Sequence, residues 1–293
     1  MVVLREVTVK TILNVHKHRD SWFLDKYSVN PYSGCPYNCL YCYTRGSKYS
    51  SRTGLAVKIN APQLLERSLQ KIKRLGVEGY IALSTSTEAW NQFEKRYGIT
   101  RKILEVIALH KMPVHVLTKS PLVLRDTDLL LQIDKNALLP DDLKKKPGRG
   151  VLITFSFSTL DENKAKLFEP GAPSPKERLK ASKILLDEGF MVGLAYMPIL
   201  PYITDDEIEE MMMTARDIGA SYVFFALLTL YGKGKEDFLY LVKKRYRNLY
   251  ARYRLMYRER SFPPRTYSNV FYRKVKNLAQ KYGVKLGIKD HVI

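Results

Sequence analysis

Hydrophobic patterns typical of helices and of buried strands alternate through the middle of the chain. Over residues 61–76 the apolar positions recur at spacings of three and four, which predicts a helix with one buried face. The apolar run 80–83 predicts a short buried strand directly after it. The alternation continues with helices predicted over 100–110, 123–133, 175–188 and 205–217, and strands predicted over 113–118, 151–157, 191–196 and 222–228.

Six strand–helix units result when a first strand near 27–30 is included. Such repeats imply a parallel sheet with right-handed crossovers, and 293 residues suit one large α/β unit. The predicted fold is an incomplete (βα)6 barrel of the TIM type, with the polar stretch 134–150 as a loop or an insertion. We divide the chain into an N-terminal extension (1–24), a barrel domain (25–230) and a basic helical C-terminal extension (231–293) packed on the barrel.

Polar residues follow the predicted strands at one end of this barrel. They occupy residues 84–88, 118–120 and 156–159. Each stretch alone is typical of a helix cap or a turn. Because active sites of such barrels lie at the C-terminal ends of the strands, the recurrence favours a binding site there.

The chain has three cysteines, Cys35, Cys39 and Cys42. They span eight residues and follow the first predicted strand. Spacings of three and then two suit a loop that holds three irons of an iron–sulfur cube and leaves the fourth iron open to a cofactor. An odd number of cysteines in one cluster also argues against a disulfide framework and favours a reducing compartment. The early charges at the N-terminus do not fit a secretory signal, and no apolar run reaches the ~18 residues of a membrane span. A cytoplasmic location without membrane attachment is therefore predicted.

The sequence around the cysteines carries a family resemblance. Residues 30–43 read Asn-Pro-Tyr-Ser-Gly-Cys-Pro-Tyr-Asn-Cys-Leu-Tyr-Cys-Tyr, which resembles the radical S-adenosylmethionine superfamily and, within it, the branch related to spore photoproduct lyase. The runs 117–126, 158–162 and 169–179 follow the same pattern, so the resemblance covers about residues 25–230.

The resemblance implies a cofactor pair. Cys35, Cys39 and Cys42 would hold a four-iron four-sulfur cluster, whose open iron takes the amine and carboxylate of S-adenosylmethionine. Tyr41 stands at the position whose side chain or backbone meets the adenine. An electron from an external low-potential donor would then cleave the cofactor to a 5′-deoxyadenosyl radical, which abstracts a hydrogen atom from the substrate. A lyase and a transferase are both compatible with this chemistry.

Four further residues match cofactor-binding positions of the family. Thr87 and Glu88 are the candidates for the methionyl ammonium, Lys119 for the carboxylate and Ser156 for the ribose. Their chemistry fits these roles, since an ammonium complements a carboxylate and a hydroxyl both donates and accepts at a sugar. Without the cysteines, a surface lysine and a helix-capping serine would be the preferred interpretation.

One departure from the lyase bears on the substrate. In the lyase, the segment matched here by 85–88 carries a further cysteine that returns a hydrogen atom to the product radical. This chain has no cysteine there, and its 20 tyrosines offer alternative donors without singling one out. The sequence therefore predicts a relative of the lyase with another substrate.

A zinc site is the alternative interpretation of the cysteines. Together with His16 or His18 they would form a tetrahedral site in a nucleic-acid-binding module without catalysis. Both histidines lie at least 17 residues before the first cysteine, whereas structural zinc sites usually draw paired ligands from two short loops.

The charge of the chain is concentrated at its C-terminal end. The net charge is +20, and residues 231–293 carry 17 Lys and Arg against 4 Asp and Glu, which is +13 of that total. One helix over 243–258 would place four tyrosines on one face, with Lys243, Arg247, Arg254 and Arg258 on another. The tyrosines then pack against the barrel, and the basic face is either solvated or binds nucleic-acid phosphates. A peptide or small-molecule substrate would leave this charge incidental. Phe262 and the two prolines after it are expected to end the helix, and 267–282 to form a last one.

Overall fold

A computed structural model describes residues 4–47 and 54–288 of the chain. These residues form two compact units. The first unit takes residues 4–36, 54–155 and 180–193, and the second takes residues 37–47, 156–179 and 194–288. The predicted boundaries after residues 24 and 230 stay predictions.

The described residues contain ten strands and eleven α-helices. The strands are β1 (Arg5–Val7), β2 (Leu13–Val15), β3 (Asp25–Val29), β4 (Tyr32–Ser33), β5 (Ala56–Lys58), β6 (Tyr80–Leu83), β7 (Val114–Thr118), β8 (Val151–Phe157), β9 (Met191–Ile199) and β10 (Tyr222–Leu227). The helices are α1 (Ala61–Leu75), α2 (Glu94–Tyr97), α3 (Ile99–Leu109), α4 (Thr127–Asn136), α5 (Asp141–Lys145), α6 (Glu162–Phe168), α7 (Pro175–Asp187), α8 (Ile208–Ile218), α9 (Gly232–Arg245), α10 (Arg247–Met256) and α11 (Arg265–Tyr282).

Seven strands form one sheet in the order β10-β9-β8-β7-β6-β3-β2. The pairs β3–β6, β6–β7 and β7–β8 are parallel, and β2 pairs with β3 in the antiparallel direction. Six strands of this sheet, β3, β6, β7, β8, β9 and β10, thus lie side by side in chain order. This order confirms the predicted α/β fold with six βα units. A smaller sheet has the order β1-β5-β4.

Burial explains why the hydrophobic patterns form these elements. All four residues of β6 are buried, as expected of a parallel strand covered on both faces. On α1, Leu65, Leu69 and Ile72 are buried at spacings of four and three, and the helix begins at Ala61 with a proline in its first turn. The spacing of apolar residues therefore carries most of the information on the middle of the chain.

Some predicted bounds need correction. The helix expected near 123–133 is a 3₁₀-helix, Pro121–Asp126, followed by α4, and the polar stretch 134–150 contains the short helix α5. Strand β9 continues three residues beyond the expected end at 196. The N-terminal extension supplies β1 and β2, whose three-residue strands are too short for a periodic signal.

The prediction of a single helix over 243–258 is wrong. Tyr246 has φ −131° and ψ 56°, which is outside the helical region and separates α9 from α10. Its ring stacks on Phe168, with centroids 6.1 Å apart, so packing holds the break in place. The last helix lies over Arg265–Tyr282, close to the expected 267–282.

No helix in the described ranges, 4–47 and 54–288, is long and apolar enough to cross a membrane.

Candidate active site

The first unit joins the start of the cysteine loop to the loop that follows β6. Asn30, the first residue after β3, donates from its side chain to Thr85 Oγ1 at 2.9 Å and accepts from the Ser86 amide at 2.9 Å. The Thr87 hydroxyl donates to the carbonyl of Gly34, directly before Cys35. The structure thus brings the predicted Thr87 next to the first cysteine along the chain.

Gly34 has to be glycine for two reasons. Its φ of 68° lies in the left-handed region, where a side chain is strained. A Cβ at this position would also lie 2.8 Å from the Gly54 carbonyl oxygen. The chain therefore turns into the cysteine loop at a point that only glycine accommodates.

Glu88 holds together the loops that follow β6 and β7. Its carboxylate is buried and accepts hydrogen bonds from the Thr118 hydroxyl at 2.8 Å, the Lys119 amide at 2.8 Å and the Trp90 amide at 3.0 Å. Burial raises the pKa of Glu88, while these donors act in the opposite direction. Glu88 is therefore engaged by backbone and hydroxyl donors, and its predicted contact with an ammonium group stays a prediction.

Lys119 follows β7 directly and is half-buried. Its backbone is fixed by Glu88, so Glu88 and Lys119, two of the three predicted cofactor residues of the first unit, share one hydrogen-bonded cluster. Ser84 begins the other loop of this cluster with a φ of 78°, and its hydroxyl accepts from the Ala89 amide at 2.7 Å. Positive φ at a residue other than glycine costs free energy and concentrates at functional loops.

The second unit carries Cys39 and Cys42 on a short turn. The Cys42 amide donates to the Cys39 carbonyl at 3.2 Å, and Cys42 Sγ lies 3.1 Å from Thr44 Oγ1. The turn is tied to the end of α6, since the Leu40 amide donates to the Phe168 carbonyl at 2.8 Å.

Tyr41, between these two cysteines, is anchored in a buried polar cluster. Its hydroxyl donates to the carboxylate of Glu169, which also accepts from the Ser158 hydroxyl at 3.0 Å and forms an ion pair with Arg178. Burial first, and then the nearby carboxylate, raise the pKa of Tyr41 well above its usual value, so the hydroxyl stays protonated and donates. The predicted contact of Tyr41 with the adenine stays a prediction.

Arg178 connects this cluster to the end of β8. Its guanidinium donates to the Ser156 carbonyl at 2.9 Å and to the Pro173 carbonyl at 2.9 Å, in addition to its pair with Glu169. The Ser156 hydroxyl donates to the Met197 carbonyl at 3.2 Å. The second unit thus brings Tyr41 and Ser156 into one network, in which every member has hydrogen-bond partners.

None of the three cysteines forms a disulfide; Cys39 is buried, and Cys35 and Cys42 are half-buried. Over the described part of the chain, no three His, Cys, Asp or Glu side chains surround a position for a single metal ion. The zinc alternative requires such a group, and the His16 ring instead lies 3.0 Å from the carboxylate of Asp25. A four-iron cluster places each thiolate on a different iron, so three cysteines outside disulfides are a donor set that fits it.

The sequence interpretation missed Asn30, Glu169 and Arg178. All three lie in runs that carry the family resemblance, but nothing in those runs indicates that the side chains meet Thr85, Tyr41 or a strand end. Arg125 and Asp126, at the end of the run 117–126, have a structural role in the first unit: Asp126 accepts from the Trp90 indole at 2.8 Å, and Arg125 binds Glu94 at 2.9 Å.

The sequence matches the profile of the Radical SAM superfamily over residues 29–215, which include the cysteine loop and every predicted cofactor residue. The chain belongs to the Radical SAM superfamily. The predicted superfamily is therefore confirmed, and membership implies an enzyme that uses S-adenosylmethionine with an iron–sulfur cluster.

Two relatives similar in sequence come from different organisms. An uncharacterised protein of Mycobacterium tuberculosis is 25% identical over 269 residues, which cover 88% of this chain and 74% of the relative. An uncharacterised protein of Methanocaldococcus jannaschii is 29% identical over 232 residues, covering 77% of this chain and 78% of the relative.

Two solved proteins have a similar fold. A spore photoproduct lyase variant superposes with a TM-score of 0.70 at 15% identity, over 95% of this chain and 79% of the lyase. SuiB of Streptococcus suis, bound to its precursor peptide SuiA, superposes with a TM-score of 0.56 at 13% identity, over 89% of this chain and 47% of SuiB. The predicted likeness to the lyase is confirmed for the fold.

Proposed function

We propose that this radical SAM enzyme holds a four-iron four-sulfur cluster on Cys35, Cys39 and Cys42. One observation carries the proposal: three cysteines, none of them in a disulfide, lie within one eight-residue loop inside the region that matches the superfamily. When bound, the cluster and S-adenosylmethionine together supply reductive cleavage of the sulfonium carbon–sulfur bond, which yields a 5′-deoxyadenosyl radical for hydrogen abstraction.

The protein's own residues bind and orient the cofactor in this proposal. Lys119 supplies a positive charge to the methionyl carboxylate, and Thr87 and Glu88 face the ammonium. Ser156 binds a ribose hydroxyl, and Tyr41 contributes its ring or backbone to the adenine. The hydrogen bonds of Glu88 to the Lys119 amide and of Thr87 to the Gly34 carbonyl support these roles, because they fix both loops.

We propose nucleic acid as the substrate class. Spore photoproduct lyase has been solved with a dinucleoside spore photoproduct, whereas SuiB has been solved with a precursor peptide, so the fold alone does not choose between these classes. The +13 charge of residues 231–293 favours a polyanion, since such a field attracts phosphates.

Further parts of the reaction follow from the chain's composition. With three cysteines, all in the cluster loop, hydrogen return by a fourth thiol is not available to this chain, and we propose a substrate other than that of the lyase. The reducing electron is proposed to come from an external low-potential donor. An odd number of cysteines in one cluster, none of them in a disulfide, favours a reducing compartment, and we propose a cytoplasmic location.

Anaerobic reconstitution with iron and sulfide, followed by a cleavage assay, tests the proposal. The reduced protein is expected to convert S-adenosylmethionine to 5′-deoxyadenosine, and Cys35→Ala, Cys39→Ala and Cys42→Ala to lose both the cluster's electron paramagnetic resonance signal and the cleavage. Lys166→Ala, an exposed change on α6, is the matched control and keeps both.

Two results would contradict the proposal. The first is a fully loaded protein that yields no 5′-deoxyadenosine with a strong reductant. The second is cleavage that persists unchanged in Cys39→Ala. Deuterium transfer from labelled oligonucleotides into 5′-deoxyadenosine then identifies the substrate class, and transfer from a peptide instead would reject nucleic acid.

A further inference from the structure

The break between α9 and α10 forms a basic cleft on the second unit. The cleft has a volume of about 490 Å3 and is lined by Tyr240, Lys243, Lys244, Arg247 and Tyr250. This volume falls within the range of about 300–1,000 Å3 that small-molecule sites occupy. A nucleotide-sized group therefore fits this cleft.

The cleft's position follows from the geometry of the two helices. Tyr240, Lys243 and Lys244 lie three and four residues apart, and so share one face of α9. Arg247 and Tyr250 lie on one face of the first turn of α10. Since Tyr246 interrupts the helix between them, the two faces line a cleft rather than a single continuous stripe.

The charges in the cleft are unbalanced. Lys243, Lys244 and Arg247 are exposed, none of the five lining residues is acidic, and in the described part of the chain none of these three cations forms an ion pair. On α11, by contrast, Lys281 is paired with Glu209 at 2.7 Å. Three unpaired cations around one cavity indicate an anionic ligand.

The aromatic rings indicate which anion. Tyr240 is 67% exposed, although burial of a large aromatic side chain is energetically favourable. The Tyr250 ring has Lys243 Nζ 5.7 Å from its centroid and Arg254 Cζ 5.8 Å from it, so cations surround a π-face. An exposed ring, that of Tyr240, among cations without ion pairs is the combination with which proteins bind single strands, whose bases stack while phosphates meet the charges.

We infer that the cleft between α9 and α10 binds single-stranded nucleic acid, with a base stacked on Tyr240 and phosphates on Lys243, Lys244 and Arg247. A duplex would offer phosphates but no free base faces, and an anionic membrane would meet a concave surface that it cannot enter. As a substrate-holding surface the cleft rests on the function proposed above, but its affinity for oligonucleotides does not require the cluster.

Fluorescence anisotropy with a labelled oligothymidylate of about 12 nucleotides tests the cleft. The full-length protein is expected to bind, and Lys243→Ala/Lys244→Ala/Arg247→Ala to bind at least ten-fold more weakly. The slope of log affinity against log salt should become shallower by about 2, because each phosphate contact on a single strand contributes about 0.7. Tyr240→Ala is expected to weaken binding several-fold, whereas Tyr240→Phe keeps the ring and the affinity.

The matched control is Arg265→Ala/Arg273→Ala/Lys276→Ala, which removes the same charge from exposed, unpaired positions on α11. Equal weakening in this control would overturn the cleft, since net charge alone would then explain binding. No binding at low salt, equal affinity for a duplex with no effect of Tyr240→Ala, or capture by phosphatidylserine vesicles in place of oligonucleotide would also overturn it.

Wild-type cleavage of S-adenosylmethionine, measured in parallel, separates the two proposals. Normal cleavage without oligonucleotide binding rejects the cleft and leaves the radical chemistry intact. Binding that depends on the cleft residues, in a protein that cannot cleave the cofactor, supports the cleft and rejects the proposed function.

Discussion

At the scale of single residues, Glu169 and Arg178 show how a buried ion pair can position the loop that carries the proposed cluster ligands. Both side chains are 1% exposed, and each has additional partners: Tyr41 and Ser158 for the carboxylate, two carbonyls for the guanidinium. A buried pair of this kind contributes little net stability but is costly to break on one side. Its value here is geometric, because Tyr41 stands between two proposed cluster ligands.

Replacing Arg178 by Met should therefore destabilise the protein strongly. The change leaves the Glu169 carboxylate buried without its cation, for which we expect a loss of about 3–5 kcal/mol in the free energy of unfolding. Urea denaturation measures it. On the same helix, Lys183→Met removes the exposed pair with Asp187 and should cost less than about 1 kcal/mol.

A second substitution separates charge from packing. Glu169→Gln in the Arg178→Met background removes the stranded charge, so the double variant should be more stable than Arg178→Met alone. A double variant that is no more stable than Arg178→Met would show that side-chain shape, rather than charge, holds the buried polar residues around Glu169 together. Because the double variant alters the acceptor of the Tyr41 hydroxyl and removes the cation that pairs with it, we expect it to bind S-adenosylmethionine more weakly than the wild type.

Lys119 allows a direct test of one proposed cofactor contact. If its ammonium meets the methionyl carboxylate, Lys119→Ala should weaken S-adenosylmethionine binding about 10- to 100-fold, since a hydrogen bond to a charged group contributes about 1.5–3 kcal/mol. For decarboxylated S-adenosylmethionine the same substitution should change the affinity little. Isothermal titration of the loaded protein measures both, and an equal loss for both ligands would contradict the contact.

The sequence revealed which residue types the site needs, but not which of them meet. Cysteine spacing is a local property, so Cys35, Cys39 and Cys42 could be read from the chain directly. Glu169 lies 128 positions from Tyr41, and nothing local to either residue encodes their hydrogen bond. The full engagement of Glu88 was equally invisible, because two of its three donors are backbone amides.

At the scale of elements, the edge pair of β2 and β3 has a pH-dependent contact. Asp25 begins β3, and burial raises its pKa to about 6, partly offset by the nearby His16. A carboxyl whose pKa is raised in the folded state stabilises the protein at low pH, and this contribution is lost as pH rises through about 6.

Asp25→Asn should remove this dependence. Between pH 4 and 7, the stability of the wild type should fall relative to the variant by about 2–3 kcal/mol, because a shift of one unit is worth about 1.4 kcal/mol. Urea denaturation at several pH values measures the difference. The exposed Asp206→Asn serves as control and should follow the wild type, and a parallel course of Asp25→Asn and wild type would refute the assignment.

The N-terminus of α9 packs directly against the chain that leaves the cysteine loop. A Cβ on Gly234 would lie 2.5 Å from the Arg45 carbonyl oxygen, and one on Gly232 would lie 2.7 Å from that of Gly46. Glycine at these positions lets the helix approach this backbone closely.

For this reason Gly234→Ala should destabilise the protein, although the same substitution usually stabilises a helix. In a helix, alanine is favoured over glycine by up to about 1 kcal/mol, yet here the new methyl group meets a carbonyl oxygen, so we expect a lower melting temperature and weaker cluster retention. Calorimetry and iron content measure both. Glu236→Ala, exposed on the same helix, is the control and should leave them unchanged.

Element boundaries show where local patterns stop being informative. The spacing of apolar residues predicted β6 and β8 with their observed bounds, because their burial repeats along the chain. The break at Tyr246 could not be predicted in the same way, since the local pattern favours a continuous helix. Its cause is the contact with Phe168, which is distant in sequence.

At the scale of the whole molecule, binding of the cofactor should stabilise the folded state. Anything that binds only the native state stabilises it by mass action, by about 2.7 kcal/mol at a concentration 100-fold above its dissociation constant. S-adenosylmethionine should thus raise the melting temperature of the loaded protein. Without the cluster the same addition should have a much smaller effect, because the open iron is the main proposed anchor. Anaerobic calorimetry of both forms checks this, and equal shifts would argue against the anchor.

Helix α9 has a consequence for how such an enzyme could sense its substrate. Its 14 residues span about 20 Å, with Gly232 and Gly234 on the cysteine-loop backbone at one end and Lys243 and Lys244 in the basic cleft at the other. If the cleft binds a strand as proposed, that strand contacts the same helix whose first turn packs on the backbone leaving the cysteine loop. Strand binding would then bear directly on the loop that carries Cys39 and Cys42, and so on when the proposed radical forms.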